Sequence, residues 1–544
     1  MANMDRRTEY HPERRPDLVG SEVNSVGGNP DSAFPRPFPT YSIGHPYPRP
    51  AILPESDLPH QEKGNAQNSQ DRNRNIGIPD KKCNRPLRYL RWNFGSVYRR
   101  IFTIAFIANM ATLLVLAIRS ASGAGSFTYR TAATAVSVNL LVSIAVRNEH
   151  VVNSLFIVIG SWPQGAPLGL RRMLAKVYSY GGIHSSCAVA AFFWYISFLA
   201  DFMVNFHHPG LNTIRTCIIE TGFAILLELV IILIFAHPRM RIRHHDGFEC
   251  THRFLGWSLI VIFWAQIFLL ASAEAEIAKI SLGASLVALP SFWIVIAITL
   301  LVIYPWTHLR LRDVEAEALS NHCVKLNFKY AKVHYGQVIR ITNTPLWETH
   351  AFAAIPNARH AESDAEEGRE TLSHAGEKGF SVLVSNAGDW TSKTIRNPPS
   401  KIYTRGVPQY GVLRVAGLFS PVVIVATGSG IGPCMSLFME KPWHPVRIVW
   451  SAKSPEETYG RAVVNTIYRT DPDAIVIDTE KVGRPDLVNI VYSVWKRGLV
   501  LGRHGSLPTP CEAVVVISNQ KVTRKVVYGL ESRGIPAYGA IFDS

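Results

Sequence analysis

The stretch with the clearest chemical content runs from Ser420 to Leu437 and reads SPVVIVATGSGIGPCMSL. Val422 to Ala426 form an unbroken apolar run, the pattern of a strand buried on both faces of a parallel sheet. It ends in Thr427-Gly428-Ser429-Gly430-Ile431-Gly432-Pro433 and passes into a predicted helix. Glycines at a strand-to-helix turn let backbone N–H groups approach a phosphate, and the helix N-terminus favours its charge. A dinucleotide fold often carries an acid about 20 residues further on, against the ribose hydroxyls. Trp450-Ser451-Ala452-Lys453 stands there instead, and Lys453 suits a 2′-phosphate, favouring NADPH over NADH. No triad or metal-binding box accompanies these residues.

The surrounding pattern must position that turn. From Pro421 onward, strands predicted at 422–426, 446–450, 474–477 and 513–517 alternate with helices at 434–440, 456–469, 486–496 and 521–533. That alternation indicates a doubly wound parallel sheet, whose ligands bind beyond the carboxyl ends of the strands. Before it, short alternating strands at 322–330, 337–343, 350–356, 380–386 and 401–405 suggest a small antiparallel barrel. An acidic insert, 361–378, reads as a solvated loop on that barrel.

The 544 residues are 47% hydrophobic and carry a net charge of +15. Uncharged runs near 101–118, 131–160, 184–206, 213–236, 254–273 and 289–306 are each near the length that spans a bilayer. Basic clusters at 81–100, 171–176, 239–243 and 310–312 fall on one side if there are six crossings. The basic excess then orients the chain in a lipid bilayer, and no nucleic-acid partner is expected. Both termini are expected in the cytoplasm, at the plasma membrane. The seven cysteines are scattered without a C-x-x-C pair, so neither a disulfide framework nor a structural zinc site is indicated. Residues 1–96, rich in Pro, Asn, Asp and Arg over their first 80, are expected as a disordered cytoplasmic tail.

Histidines at the span ends are candidate haem ligands. Two haems stacked across a bilayer need ligands about 20 Å apart, or about 13–14 helical residues. Ser197 and Phe198 occupy those positions after His184, so no haem wire is expected. His184 and His252, at the cytoplasmic ends of the third and fifth spans, leave room for one haem between facing helices.

Over roughly residues 97–544 the chain resembles the ferric reductase and NADPH oxidase superfamily, most closely fungal TmpA-type transmembrane flavoproteins. The likeness rests on Gly388-Asp389-Trp390-Thr391, Tyr410-Gly411, Gly428 to Pro433, Gly483-Arg484-Pro485 and the C-terminal Phe542. It implies a transmembrane helical domain (97–308), an FAD-binding β-barrel domain (309–415) and a Rossmann-like NAD(P)-binding domain (416–544). It also implies that His350 and Phe352 flank the flavin, with Gly388, Trp390 and Thr391 near the FAD phosphates. Gly428, Ser429, Gly430, Gly432 and Pro433 would cradle the pyridine nucleotide. Gly483 and Arg484 would line its site, and Phe542 would stack near the isoalloxazine. Two motifs depart from the superfamily. His-Pro-Phe-Thr is replaced by His350-Ala351-Phe352-Ala353, and Cys-Gly-Pro by Ile517-Ser518-Asn519, so Ser518 fills the cysteine's place.

The expected function is a membrane flavoprotein oxidoreductase that passes hydride from NAD(P)H to FAD and electrons to an unidentified acceptor. A developmental-signalling or secondary-metabolism role fits the TmpA likeness. The alternative is a membrane sensor that binds FAD and NAD(P)H without turnover. A transporter is a third reading; it predicts polar residues facing a midplane cavity, where Glu220 and Glu228 are the main acids inside spans.

Overall fold

The computed structural model describes residues 77–357, 378–497, 499–500 and 509–540. Phe542 and almost all of the acidic insert lie outside the described residues, as does most of the expected tail. The last part of that tail departs from the expectation: Arg85–Asn93 forms a helix, α1, with Asn84 as N-cap accepting from the Leu87 amide at 3.1 Å. A side-chain cap and Pro86 in the first turn are enough to start a helix here.

Six long helices follow: α2 (Val97–Ala121), α3 (Tyr129–Ala145), α6 (Gly181–Asn205), α7 (Asn212–Ala236), α9 (His245–Ala278) and α11 (Pro290–Thr307). Their shared core is aromatic, with Trp194, Tyr195, Phe198, Phe202 and Phe263 buried together. Among the described residues, five helical stretches are long and apolar enough to cross a membrane, and a sixth only if a bent pair is one span. That pair corrects the reading of 131–160 as a single run. α3 ends at Ala145, and α4 (Glu149–Gly160) leaves it at 62°.

The reason for the bend is polar. Asn148 caps α4, and the buried Glu149 carboxylate accepts from Arg340 at 2.7 Å and from the Val407 amide at 2.8 Å. Asn153 donates to the Pro408 carbonyl and accepts from the Tyr410 amide, both at 2.9 Å. Val152 and Phe156 join the core built by the C-terminal half of the chain. Short helices α5 (Leu168–Leu174), α8 (Pro238–Arg243) and α10 (Leu282–Ala288) complete the helical region.

Eight strands build two antiparallel four-stranded sheets: β1 (Arg310–Asp313), β2 (Glu315–Ser320), β3 (Cys323–Phe328), β4 (Gln337–Thr342), β5 (His350–Ala353), β6 (Ile355–Pro356), β7 (Phe380–Ser385) and β8 (Lys401–Tyr410). Their orders are β1-β8-β4-β5 and β2-β3-β7-β6. Leu326, Phe328, Ile339, Ile341, Phe380 and Val382 meet in one core between them. Helix α12 (Asp389–Arg396) closes one end with Trp390.

The C-terminal region is a five-stranded parallel sheet of order β11-β10-β9-β14-β15. Its strands are β9 (Val422–Thr427), β10 (Val446–Ala452), β11 (Ile475–Asp478), β14 (Ala513–Ile517) and β15 (Ala537–Gly539). Helices α13 (Ile431–Glu440), α15 (Arg461–Thr470), α17 (Leu487–Arg497) and α18 (Gln520–Glu531) flank it. The helix expected over 456–469 is split into α14 (Pro455–Tyr459) and α15 by Gly460, whose φ of +87° no ordinary helical residue adopts. A one-turn α16 (Thr479–Val482) and a two-stranded ribbon, β12 (Leu499–Val500) with β13 (Thr509–Pro510), lie outside the main sheet.

Candidate functional site

β9 is the central strand, and the chain leaves it to β10 on one side and β14 on the other. This is where a doubly wound sheet opens a crevice. A cleft of about 1090 Å³ lies there, between the strand ends and the antiparallel sheets. Ligand sites commonly measure about 300–1,000 Å³, so this one is large for a single small molecule.

The floor is the glycine turn. Gly428 has φ +50°, and its carbonyl accepts from Trp450 Nε1 at 3.0 Å. A Cβ on Gly430 would fall 2.2 Å from the Ile517 carbonyl oxygen. The turn therefore lies against the end of β14 with no space for a side chain, which brings its amides to the cleft. Behind it Cys434 donates Sγ to the Gly430 carbonyl at 3.3 Å, and burial pushes its thiol pKa up. It is a neutral packing group. Beside the turn, Thr427 and Ser518 share a hydroxyl–hydroxyl hydrogen bond. Asn519 caps α18 through the Val522 amide at 3.0 Å. The geometry thus fits a pyrophosphate-bearing nucleotide.

Of the residues singled out from sequence, His350, Phe352, Thr391, Gly428, Ser429, Gly430, Gly432, Pro433, Lys453, Arg484 and Ser518 line the cleft. Gly388, Trp390 and Gly483 are not among its lining residues. Trp390 is buried and stacks on His350, ring centres 4.3 Å apart, with Phe352 at 5.7 Å. It sets the pose of the cleft wall from behind. Its Nε1 is buried without a partner. The Ala387 and Gly388 amides both donate to Thr391 Oγ1, at 2.8 and 2.9 Å, so the hydroxyl already satisfies both.

Lys453 reaches Glu480 at 3.3 Å, and Ser454 hydrogen-bonds the same carboxylate. Those two contacts hold Glu480 below the usual carboxylate range. The acid absent from the end of β10 is thus supplied from beyond β11. Only the fold brings the two together. Glu249, from the start of α9, also lines the cleft, a tertiary contact with no local signal.

His184 and His252 face each other from α6 and α9, ring centres 6.1 Å apart. His184 Nδ1 lies 2.9 Å from the Ser143 carbonyl and 3.0 Å from its hydroxyl, so its hydrogen bonds fall on that side of the ring. Among the described residues no group of three or more His, Cys, Asp or Glu side chains could hold a metal ion.

Comparison with known proteins adds a family likeness. Residues 412–544 match the family model described as "Adenylate-forming reductase 03009, C-terminal domain". Adenylate-forming reductase 03009 of Coprinopsis cinerea is 41% identical over 466 residues, 86% of this chain and 42% of the relative. Adenylate-forming reductase 06235 of the same fungus is 40% identical over 468 residues, again 86% and 42%. The chain therefore spans about two fifths of the length of these curated relatives. Among solved structures, flavohemoglobin from Malassezia yamatoensis aligns over 76% of this chain and 99% of its own, at 15% identity and a TM-score of 0.33. A ferredoxin NADP+ reductase from Neisseria gonorrhoeae aligns over 43% and 99%, at 13% identity and 0.31.

Proposed function

We propose that this chain is a membrane-embedded NAD(P)H-dependent flavoprotein oxidoreductase, a redox module of the kind seen in ferric reductases and TmpA-type proteins. The observation that carries the reading is the cleft itself. A glycine turn tight against β14 opens directly opposite the His350–Ala353 edge of a separate antiparallel unit. The names of the curated relatives, reductases of which this chain spans two fifths, support the reaction class.

FAD and a pyridine nucleotide, when bound, supply the hydride chemistry, and no side-chain acid, base or nucleophile is required of the protein. The chain's task is to bind, orient and exclude water. The amides around Gly430 and the start of α13 would take the nucleotide pyrophosphate, with Arg484 as a cation on the rim. Ser518, oriented by Thr427, offers a directed hydroxyl at the strand ends. His350 and Phe352, stiffened by Trp390, present a flat wall on which a planar ring system can lie. His184 and His252 would hold one haem. Glu249 on the cleft wall and His252 are one helical turn apart on α9, so this helix joins the cleft to the histidine pair. The six long helices would lie in the membrane, with the soluble half in the cytoplasm.

Purified full-length protein is expected to carry flavin absorbance that bleaches within seconds of adding NADPH or NADH. Flavin that stays oxidised would instead establish the sensor. Nucleotide preference follows from the Lys453–Glu480 pair. Its carboxylate opposes a 2′-phosphate that the lysine would attract. Glu480→Gln should raise the NADPH-to-NADH ratio of kcat/KM by roughly tenfold, and Lys453→Ala should lower it. An unchanged ratio in both would place the ribose elsewhere.

A further inference from the structure

We infer that α1 is an in-plane anchor for the anionic surface of the bilayer, and that it ties that surface to the wall of the nucleotide cleft. The inference rests on the membrane reading of the long helices. Between Lys81 and Arg100 there are seven basic residues and no acidic one. Arg85, Arg91, Arg99 and Arg100 are exposed, and none meets a carboxylate among the described residues. Leu87, Leu90 and Phe94, at helical spacing i, i+3 and i+7, are 55%, 56% and 58% exposed, and Tyr89 beside them is 64% exposed. Such a face is costly to leave in water. At about 13 Å, nine residues are also far too short to cross a membrane.

The occupant follows from position and charge. Phe94, Gly95 and Ser96 alone separate α1 from α2, whose 25 residues form one of the apolar helices. A short helix with an apolar stripe and a basic flank, placed where a span begins, has the composition of an interfacial element. Arginines beside that stripe match the phosphates and carboxylates of an anionic leaflet.

The opposite face of α1 is already engaged. Trp92 meets Tyr528 edge-on with ring centres 4.9 Å apart, and Lys81 Nζ lies 5.0 Å from the same ring. The Lys82 amide donates to the Ser532 carbonyl at 2.8 Å, and Arg533 Nε donates to the Pro79 carbonyl at 2.8 Å. Tyr528 belongs to α18, whose Lys521, Val522 and Lys525 line the cleft. One face of α1 thus rests on lipid while the other holds a wall of the nucleotide site.

The test uses the full chain in nanodiscs of phosphatidylcholine, with and without phosphatidylserine, read by amide hydrogen exchange. Exchange over residues 85–94 should slow by roughly tenfold in anionic discs, and the difference should shrink at high salt. Replacing Arg85, Arg91, Arg99 and Arg100 together by Gln should erase the lipid dependence. Equal exchange in both discs would overturn the anchor while leaving the membrane reading intact. Protection reproduced in neutral discs by inorganic phosphate would overturn the lipid assignment. Release of the chain from native membranes by alkaline carbonate would instead bring down the membrane reading beneath it.

Discussion

Gly430→Ala should weaken pyridine-nucleotide binding at least about tenfold, whereas Gly432→Ala, two residues on, should change it by less than about threefold. The contrast comes from what each methyl group would meet. At Gly430 it would lie 2.2 Å from the Ile517 carbonyl oxygen and 3.0 Å from its carbon, both backbone atoms of β14. That strand is pinned between β9 and β15 with Val514, Val515 and Val516 fully buried, so the turn must give way instead. Such overpacking costs about 1–3 kcal/mol, and the displacement falls on the amides that face the cleft. At Gly432 the methyl would meet Leu383 Cβ at 3.6 Å, an ordinary contact across the seam. Titration of both variants with NADPH and NADH, alongside circular dichroism to establish folding, reads the difference. Equal affinities would mean that the turn does not seat the nucleotide.

The parallel sheet was legible because its strands are buried on both faces. Val422 to Ala426 and Val514 to Val516 have no solvent side to dilute the pattern. β15 escaped because three residues carry no periodicity, and β2 because Glu315 and Glu317 on its exposed positions read as loop. Helix α4 misled for a different reason. Hydropathy reports removal from water, and Val152 and Phe156 are removed from water by protein. Only the partners of Glu149 and Asn153 on β8 tell the two environments apart. Among the site residues, the glycine turn carries its own local signal. Glu249 and Glu480 do not, since Glu249 meets the cleft, and Glu480 meets the cleft-lining Lys453, only once the sheets and helices have assembled. Trp390 was legible as a special residue, but its place behind His350 was not.

Glu512→Ala should lower the apparent melting temperature of the C-terminal parallel sheet by about 6 °C or more. Arg171, at the end of α5 and 6% exposed in its side chain, makes a two-pronged contact with this carboxylate at 2.6 and 2.8 Å. The same guanidinium donates to the Leu418 and Ala166 carbonyls, while Glu512 also accepts from the Ser420 amide at 2.8 Å. The pair joins the segment that leads into α6 to the strand that borders the cleft. Removing one partner strands a buried charge, which typically costs about 3–5 kcal/mol. Burial pushes the Glu512 carboxyl upward, but the Arg171 hydrogen bond and the Ser420 amide outweigh it and hold the group below its ordinary value of 4.5. Its contribution is therefore fully present above that value and fades as pH falls through the lowered native one. The stability gap between wild type and Glu512→Gln should narrow on acidification below that value. Replacing both partners, Arg171→Met with Glu512→Leu, should recover most of the loss, since an apolar pair leaves no charge uncompensated. A double variant as unstable as Glu512→Ala would mean that the carboxylate acts through Ser420 alone.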